Sequence, residues 1–406
     1  MTKLKLLFLP TILALAFGLM LSCAKSSSDD SSSSADTSSS EETNTSSAIT
    51  VSGKVQKGPY VLGTEITVRE FDSDMIPTGN TFTGTLDDDA GNFGIKGKLA
   101  YKMVELSANG YYFNEVSGSL STSNLSLQAL ADLTDSNTVN VNLMTHMEKK
   151  RVEYLMDYSG MSFAAAKTQA QGEILKMFNI DNVTLGNSET LDISKSGDGN
   201  AVLLAISALL QSDKTEAELT ELLSSINTDI RTDGTLDSTT TKATLATAME
   251  YLKTRHIANT SIRTNIESRY SNLGVSATIP AFESYAYNMD TTAPTVDNSS
   301  PGDCNCQSLN PVDISVTFSE IMDATTITTN TSDTSCSGTF QISSDNFNTC
   351  VKMTGYSFTA SNSHKTFTIE NVVLANSTFY KYRFTSGATD LAGNNLEGMT
   401  AINIRQ

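Results

Sequence analysis

The sequence predicts a multi-domain protein of mixed α and β structure, with an N-terminal β-sandwich-like module, a central helical bundle and a C-terminal β-sandwich. Three stretches of apolar patterning carry this prediction. Apolar and polar residues alternate over 50–135, apolar residues recur every three to four positions over 139–287, and alternation returns over 290–406. A period of two is typical of half-buried strands, whereas a helical period is typical of helices that pack on one face.

The first 22 residues have the layout of an export signal. Lys3 and Lys5 precede an apolar run over 6–21, which Pro10 and Gly18 interrupt. A helix needs roughly 20 apolar residues to span a bilayer. We therefore interpret this segment as a cleaved signal peptide and not as a permanent transmembrane anchor.

The apolar run ends in Met20-Leu21-Ser22-Cys23. This ending resembles the lipobox of bacterial lipoproteins, in which the cysteine thiol receives a diacylglyceryl group and becomes the new N-terminus. The resemblance implies lipidation of Cys23 and a membrane as a partner, because buried acyl chains anchor a protein durably. It also implies transport to the outer membrane, since Ala24 and not Asp follows the cysteine. An ordinary signal peptide, cut nearby, is the alternative.

Residues 23–49 are rich in Ser and acidic residues and contain almost no apolar side chain. Such a segment cannot bury enough surface to offset the chain entropy lost on folding. We expect a disordered tether that holds a folded body away from the membrane.

The composition argues against several functions. The net charge is −18, so nucleic acids would repel the chain and are not expected as partners. The histidines, His146, His256 and His364, lie far apart and form no HExxH motif. No GxSxG or similar catalytic motif is present either, so we expect neither an enzyme nor a cofactor.

Four cysteines besides Cys23 lie in the C-terminal third: Cys304, Cys306, Cys336 and Cys350. An even number in an exported chain implies disulfides, and four cysteines allow three connectivities. We favour Cys336–Cys350, because the intervening segment has the pattern of a hairpin. A bond from the CxC pair to a distant cysteine is one alternative. A four-cysteine zinc site is another, although CxC lacks the usual gap of two to four residues.

The N-terminal module, 50–135, is predicted from short alternating runs that turn residues separate. Its phrases GKVQKGPYVLGTEITV and DDDAGNFGI resemble the β-sandwich modules called carboxypeptidase regulatory-like or transthyretin-like domains, which implies a spacer without a catalytic role. Asp87, Asp89 and Asn92 are weak candidates for calcium, which prefers oxygen ligands. No EF-hand spacing is present, and a solvated acidic turn is the alternative.

The central region, 139–287, contains several helical signals, from which we expect a bundle of about six helices. Ser162 is placed as an N-cap, and Thr215 with Glu218 forms a capping box. The segment 200–211 is apolar nearly all round and predicts a central buried helix.

This region is similar to a domain found in large sets of uncharacterised bacterial lipoproteins. The phrases that carry the resemblance are VNVNLMTHMEKKRVEYL, SFAAAKTQAQGEIL, GDGNAVLLAISALLQ, SIRTNIES and IPAFESY. The family has no known activity, so the resemblance implies architecture and location only.

Two features of the helical region suggest chemistry but have simpler interpretations. His146 beside Glu148 could be an acid–base pair, although a single histidine among methionines is more often buried structure. The stretch 192–200 has glycine at the sixth position, as an EF-hand does, but Leu203 stands where the closing Glu belongs. A turn before the central helix explains this stretch better.

The C-terminal region, 290–406, has about seven alternating runs, the number that a two-sheet sandwich needs. The motifs DTTAPTV at 290–296, VTFSEIMD at 316–323 and GATDLAGNNL at 387–396 resemble the bacterial Ig-like domain first described in S-layer proteins of the SbsA type. The resemblance implies an Ig-like β-sandwich that serves as a structural module of surface and secreted proteins. We interpret the DLAGN segment as a turn and not as a ligand site.

Together these features predict a lipid-anchored, non-enzymatic envelope or surface protein with a role in adhesion or partner binding. The expected partner is a protein or a polysaccharide. A structural scaffold that faces the periplasm is the first alternative, and a hydrolase is the weaker one, because it would need paired carboxylates or a Ser/His/Asp set.

Overall fold

The computed structural model describes residues 47–405 except for 181–182, 258–259, 304–310 and 400. The predicted signal peptide, Cys23, Cys304 and Cys306 lie outside the described residues, as does the predicted tether up to residue 46. The first strand begins at Ser47, inside the predicted tether. No helix in the described part of the chain is both long and apolar enough to span a membrane.

The N-terminal β module contains nine strands within the described residues. In chain order they are β1 (Ser47–Gln56), β2 (Glu65–Phe71), β3 (Pro77–Thr85), β4 (Asn92–Leu99), β5 (Met103–Gly110), β6 (Phe113–Asn114), β7 (Ser119–Leu120), β8 (Leu125–Asp132) and β9 (Val141–Asn142). They form one sheet in the order β4-β1-β9, a second in the order β3-β2-β5-β8, and a hairpin of β6 and β7. The β1–β9 pair is parallel.

The helical region contains seven α-helices in its described part. They are α1 (Leu143–Ser159), α2 (Phe163–Met177), α3 (Asp198–Gln211), α4 (Glu216–Asp229), α5 (Thr239–Leu252), α6 (Ser261–Asn272) and α7 (Glu283–Asn288). The predicted caps are present, since Ser162 accepts from the Ala165 N–H and Thr215 forms a capping box with Glu218. Helix α3 is buried without a break from Ala201 to Gln211, as its apolar composition predicts.

The N-terminal strands and the helices share one hydrophobic core. Apolar side chains of both sheets, among them Val55, Ile66 and Leu106, belong to the same buried cluster as Leu204 and Ile206 of α3. No linker separates the two parts, because the last residue of β9, Asn142, is also the N-cap of α1. We call residues 47–289 the body, because burial of its apolar surface depends on strands and helices together.

The C-terminal region is a sandwich of two antiparallel sheets with a core of its own. Its strands are β10 (Val296–Ser300), β11 (Val312–Phe318), β12 (Phe340–Ser343), β13 (Thr359–Ser361), β14 (Thr366–Val372), β15 (Phe379–Phe384) and β16 (Ile402–Arg405). The sheet orders are β10-β11-β14-β13 and β12-β15-β16. In β11, Val312, Ile314, Val316 and Phe318 are all buried, which is the alternation that the sequence predicts. The predicted fold class is therefore confirmed.

Candidate functional site

A lysine at the end of helix α5 contacts two acidic side chains of the C-terminal region. Lys253 follows the last residue of α5, and its Nζ lies 2.5 Å from Asp290 Oδ2 and 2.7 Å from Glu320 Oε2. The three side chains are 1%, 4% and 5% exposed, respectively. Few buried charges occur without partners, and here the Lys253 ammonium lies directly against two carboxyl groups.

A third acidic side chain completes this group, which we call the junction cluster: Lys253, Asp290, Glu320 and Asp390. Oxygen atoms of the three acids lie within 4.8 Å of one another, and no other set of metal-ligand side chains in the described residues meets that condition. Asp390 is held by Asn394, whose N–H and Nδ2 donate to its two carboxylate oxygens. The same Nδ2 donates to the main-chain carbonyl of Asp290 at 3.0 Å.

Burial and charge set the protonation of the junction cluster. Burial, together with the neighbouring Asp290, raises the pKa of Glu320 to about 8, although Lys253 opposes the shift. Burial also acts to raise the pKa of Asp290, but Lys253 and the Thr292 N–H outweigh it and hold that pKa below its usual value. At neutral pH, Glu320 therefore carries a proton while Asp290 and Lys253 are charged.

The junction cluster has the oxygen atoms that calcium prefers, but its positive charge comes from the chain itself. The Lys253 ammonium lies between two of the three carboxyl groups that would ligate a cation. The cluster therefore fits an internal ion pair better than a resident metal.

A cleft of about 660 Å³ adjoins the junction cluster and shares Asp290 with it. That volume is within the range of ligand pockets. Its apolar lining comes from α2, α3, α5, the connection between α4 and α5, and the segment before the sandwich: Met177, Phe178, Leu209, Leu236, Leu245, Ala246, Met249 and Met289. Charged side chains that also line it are Glu173, Lys176, Asp233, Lys242 and Asp290. Methionines adapt to different apolar shapes, so three of them make this lining adjustable.

The two cysteines within the described residues form a disulfide. Cys336 and Cys350 are joined, with Cα atoms 4.9 Å apart, which is the pairing that the sequence favoured. Their bond closes a loop of the C-terminal sandwich that contains the whole of β12. The lipidation site Cys23 and the other two disulfide candidates, Cys304 and Cys306, remain predictions.

The acidic turn before β4 has internal partners for its polar groups. The central acceptor is Asp88, whose carboxylate accepts from the N–H groups of Ala90 and Asn92 and from Asn92 Nδ2. Asp89 accepts from the N–H of Leu62, and the Asp87 N–H donates to the Asn92 carbonyl. The calcium hypothesis for Asp87, Asp89 and Asn92 stays a prediction, and these contacts explain the turn without an ion.

His146 and Glu148 take part in separate environments. Glu148 is buried and contacts Lys167 Nζ at 2.6 Å and the Ser188 hydroxyl. His146 Nδ1 is buried without a hydrogen-bond partner, and burial, with Lys149 as a further cause, lowers the pKa of His146 to about 4. The structure therefore does not bring the two together as an acid–base pair.

The polar groups of the stretch 192–200 also have hydrogen-bond partners within the protein. Asp192 accepts from Gln56 Nε2 and from the Ser194 N–H and hydroxyl, and its other oxygen lies 3.0 Å from Lys54 Nζ. Asn200 accepts from the Asp192 N–H. These hydrogen bonds explain the stretch as a turn before the central helix, without a calcium ion. They also connect β1 to the start of α3.

The junction cluster was not predicted. Each of its acids stands in one of the three C-terminal motifs, as the first residue of DTTAPTV, the Glu of VTFSEIMD and the Asp of DLAGN. The presence of at least one acid in every motif was the available signal. Lys253 carried none, because a lysine at a helix end is usually solvated or placed against the helix dipole.

Residues 290–404 match the family of bacterial Ig-like domains. The match starts at Asp290 and includes Glu320 and Asp390, and it supports the Ig-like prediction for the C-terminal part. No curated protein and no solved structure matches the chain. A bacterial Ig-like domain indicates a surface or cell-envelope protein, and we use the name Ig-like domain for this part below.

Proposed function

We propose that this chain is a non-enzymatic lipoprotein of the bacterial surface, anchored in the outer membrane by a lipid on Cys23, that binds a protein partner through the cleft beside the junction cluster. The match of residues 290–404 to bacterial Ig-like domains carries the proposal. Such a domain, which follows the helical part of the chain, suits display of a binding surface.

Three further observations support an extracytoplasmic place. The Cys336–Cys350 disulfide is of a kind that persists in oxidising compartments. The signal-peptide pattern and the cysteine that ends it supply export and an anchor. The net charge of −18 keeps the body away from anionic surfaces and favours solubility at the end of a tether.

The cleft is the surface best suited to a partner's side chains. Its lining contains apolar side chains, three of them methionines, and charged side chains of both signs. A protein partner that presents both apolar side chains and polar groups to the cleft matches this arrangement. A polysaccharide is less suited, because no tryptophan is available for stacking on sugars.

Surface shaving tests the location. Intact cells are treated with a protease that cannot enter them, and fragments of 47–405 are followed, with lysed cells as the control. Digestion in intact cells supports the proposal. Protection until lysis contradicts the surface location and favours a scaffold that faces the periplasm. A Cys23→Ser variant should leave the membrane fraction, and its retention there would contradict the lipid anchor.

A matched pair of variants tests the cleft. Ala246 lines it and Thr247 does not, although both are exposed on α5. Ala246→Arg should block the cleft and lower recovery of the partner in crosslinking on cells at least about tenfold, a loss of about 1.4 kcal/mol. Thr247→Arg should leave recovery unchanged. Equal recovery with both variants would contradict the cleft as the binding surface.

A further inference from the structure

We propose that Lys253 and Asp290 condense to an intramolecular amide, so that a covalent bond fastens the end of helix α5 to the first residue of the Ig-like domain. The junction cluster would then be a self-modification site. Its nucleophile is Lys253 Nζ, its acyl carbon is Cγ of Asp290, and Glu320 relays protons between them.

The geometry places every group that the reaction needs. Lys253 Nζ contacts Asp290 Oδ2 at 2.5 Å, so the nitrogen is held against the carboxyl group that it would attack. The other oxygen, Oδ1, accepts from the Thr292 N–H at 2.9 Å. A backbone donor at that position stabilises the negative charge that develops on Oδ1 when nitrogen adds to the carbon.

Glu320 is placed to act as the acid and base. Its Oε2 lies 2.7 Å from Lys253 Nζ, and its carboxyl group also interacts with that of Asp290. Because burial holds a proton on Glu320 at neutral pH, it can give that proton to the departing Asp290 oxygen. It then takes one back from the nitrogen, as a general acid–base catalyst does.

The step balances without an added reagent. The ammonium of Lys253 passes a proton to the Asp290 carboxylate, and the resulting amine adds to Cγ. One N–C bond forms, one C–O bond breaks, and Oδ2 leaves as water. One positive and one negative charge disappear, and Glu320 ends as it began.

Burial favours the product over the ion pair. Each buried charge loses its hydration, and an amide replaces two charged groups with one neutral group. The contacting side chains are at most 5% exposed, so little water is available to reverse the reaction.

Other buried lysines serve as internal comparisons. Lys57 contacts a single carboxyl group, that of Glu115, and has no second acid to move protons. Lys167 contacts Glu148 and Glu189, but the second oxygen of Glu148 accepts from a hydroxyl group and not from a backbone N–H. Both should remain free amines.

Peptide mass analysis of the full chain, purified in detergent and reduced, tests the proposal directly. Trypsin should fail to cut after Lys253. A branched peptide should join the Lys253 and Asp290 segments, lighter than their sum by one water, with fragment ions that place the branch on Asp290. Complete cleavage after Lys253 would overturn the proposal, as would a branch on Glu320 or water loss within an unbranched Asp290 peptide.

Variants test the assigned roles. Glu320→Gln should slow formation of the branched peptide by about a hundredfold or more, because the proton relay is lost. Asp290→Asn should give the same branched product with loss of ammonia in place of water. Lys253→Arg should give none. The presence or absence of the branched peptide in the wild-type chain decides the proposal, so the test does not depend on whether the variants fold.

Discussion

The body and the Ig-like domain are stabilised in different ways. In the body, strands and helices bury their apolar faces in one shared core, and buried polar groups connect them: the Ser207 hydroxyl of α3 donates to the Lys57 carbonyl, and Tyr112 donates to Gln211. The Ig-like domain has a separate core rich in aromatic rings and a disulfide. The difference indicates that the body folds as one unit, whereas the Ig-like domain stabilises itself.

The largest effect is expected from breaking a buried ion pair that holds the body together. Lys57 Nζ contacts Glu115, and both side chains are fully buried; burial, opposed by Glu115, lowers the pKa of Lys57. Lys57→Met leaves the Glu115 charge buried without its partner and should cost about 3–5 kcal/mol in the free energy of unfolding of the body. Chemical denaturation followed by circular dichroism measures it.

The matched control for this variant removes both charges. Lys57→Met combined with Glu115→Leu should recover most of the lost stability, because two apolar groups then face each other. If the double variant is no more stable than the single one, packing and not the unpaired charge explains the loss.

The second prediction asks whether the two regions unfold separately. Leu204 of α3 is fully buried in the shared core. Leu204→Ala should destabilise the body by about 2–5 kcal/mol through lost burial and a cavity. Calorimetry should show a lower unfolding temperature for the body and an unchanged unfolding temperature for the Ig-like domain. Leu62→Ala, at an exposed position, should change neither unfolding temperature. If Leu204→Ala lowers both unfolding temperatures equally, the two regions do not unfold as separate units.

The third prediction confines an effect to the Ig-like domain. The Cys336–Cys350 bond closes a loop with a sequence separation of 14, so its removal should cost about 3 kcal/mol through loop entropy. A double change to Ala should lower the Ig-like transition and leave the body's transition unchanged. A change in the body's transition would show that the two units are coupled in unfolding.

The smallest expected effect is acid sensitivity of the body. Burial is the first cause that lowers the pKa of His146 to about 4, so the side chain is neutral in the folded protein at pH 5.5. The unfolded chain takes up a proton as pH falls below about 6.5, which favours unfolding until the folded side chain also titrates. The body should lose about 1.4 kcal/mol between neutral pH and pH 5.5 on this account.

Two histidine variants check this prediction. His146→Gln should abolish that part of the pH dependence, when urea denaturation is compared at pH 7.5 and 5.5. His364→Gln, in the Ig-like domain, should leave the pH dependence of the body's free energy of unfolding unchanged. The same pH dependence of stability in the wild type and in His146→Gln would contradict the assignment of this effect to His146.

Much of the fold could be predicted from local patterns. The alternation in β11 and the capping box at Thr215 report on neighbouring positions in sequence, and the structure agrees with both. The shared core could not be predicted in this way. Whether the buried face of β2 packs on a second sheet or on α3 depends on contacts between residues far apart in the chain, and periodicity does not encode them.

The site shows the same limit. The disulfide was predictable because its two cysteines flank one hairpin-like segment. The junction cluster joins Lys253 to acids from three separate segments, with Asp390 more than a hundred residues away in sequence. Each residue looks ordinary in its local context, and only the tertiary fold makes them neighbours.

The shared core implies that the N-terminal strands need the helices in order to fold. The most direct test is to compare cooperative unfolding of a fragment of residues 47–142, which retains all nine strands of the β module, with that of residues 47–289. We expect no cooperative thermal transition and exposed apolar surface for the shorter fragment, and a single cooperative transition for the longer one. A cooperative transition in the shorter fragment, as stable as that of the longer one, would contradict the shared core as the basis of the body's stability.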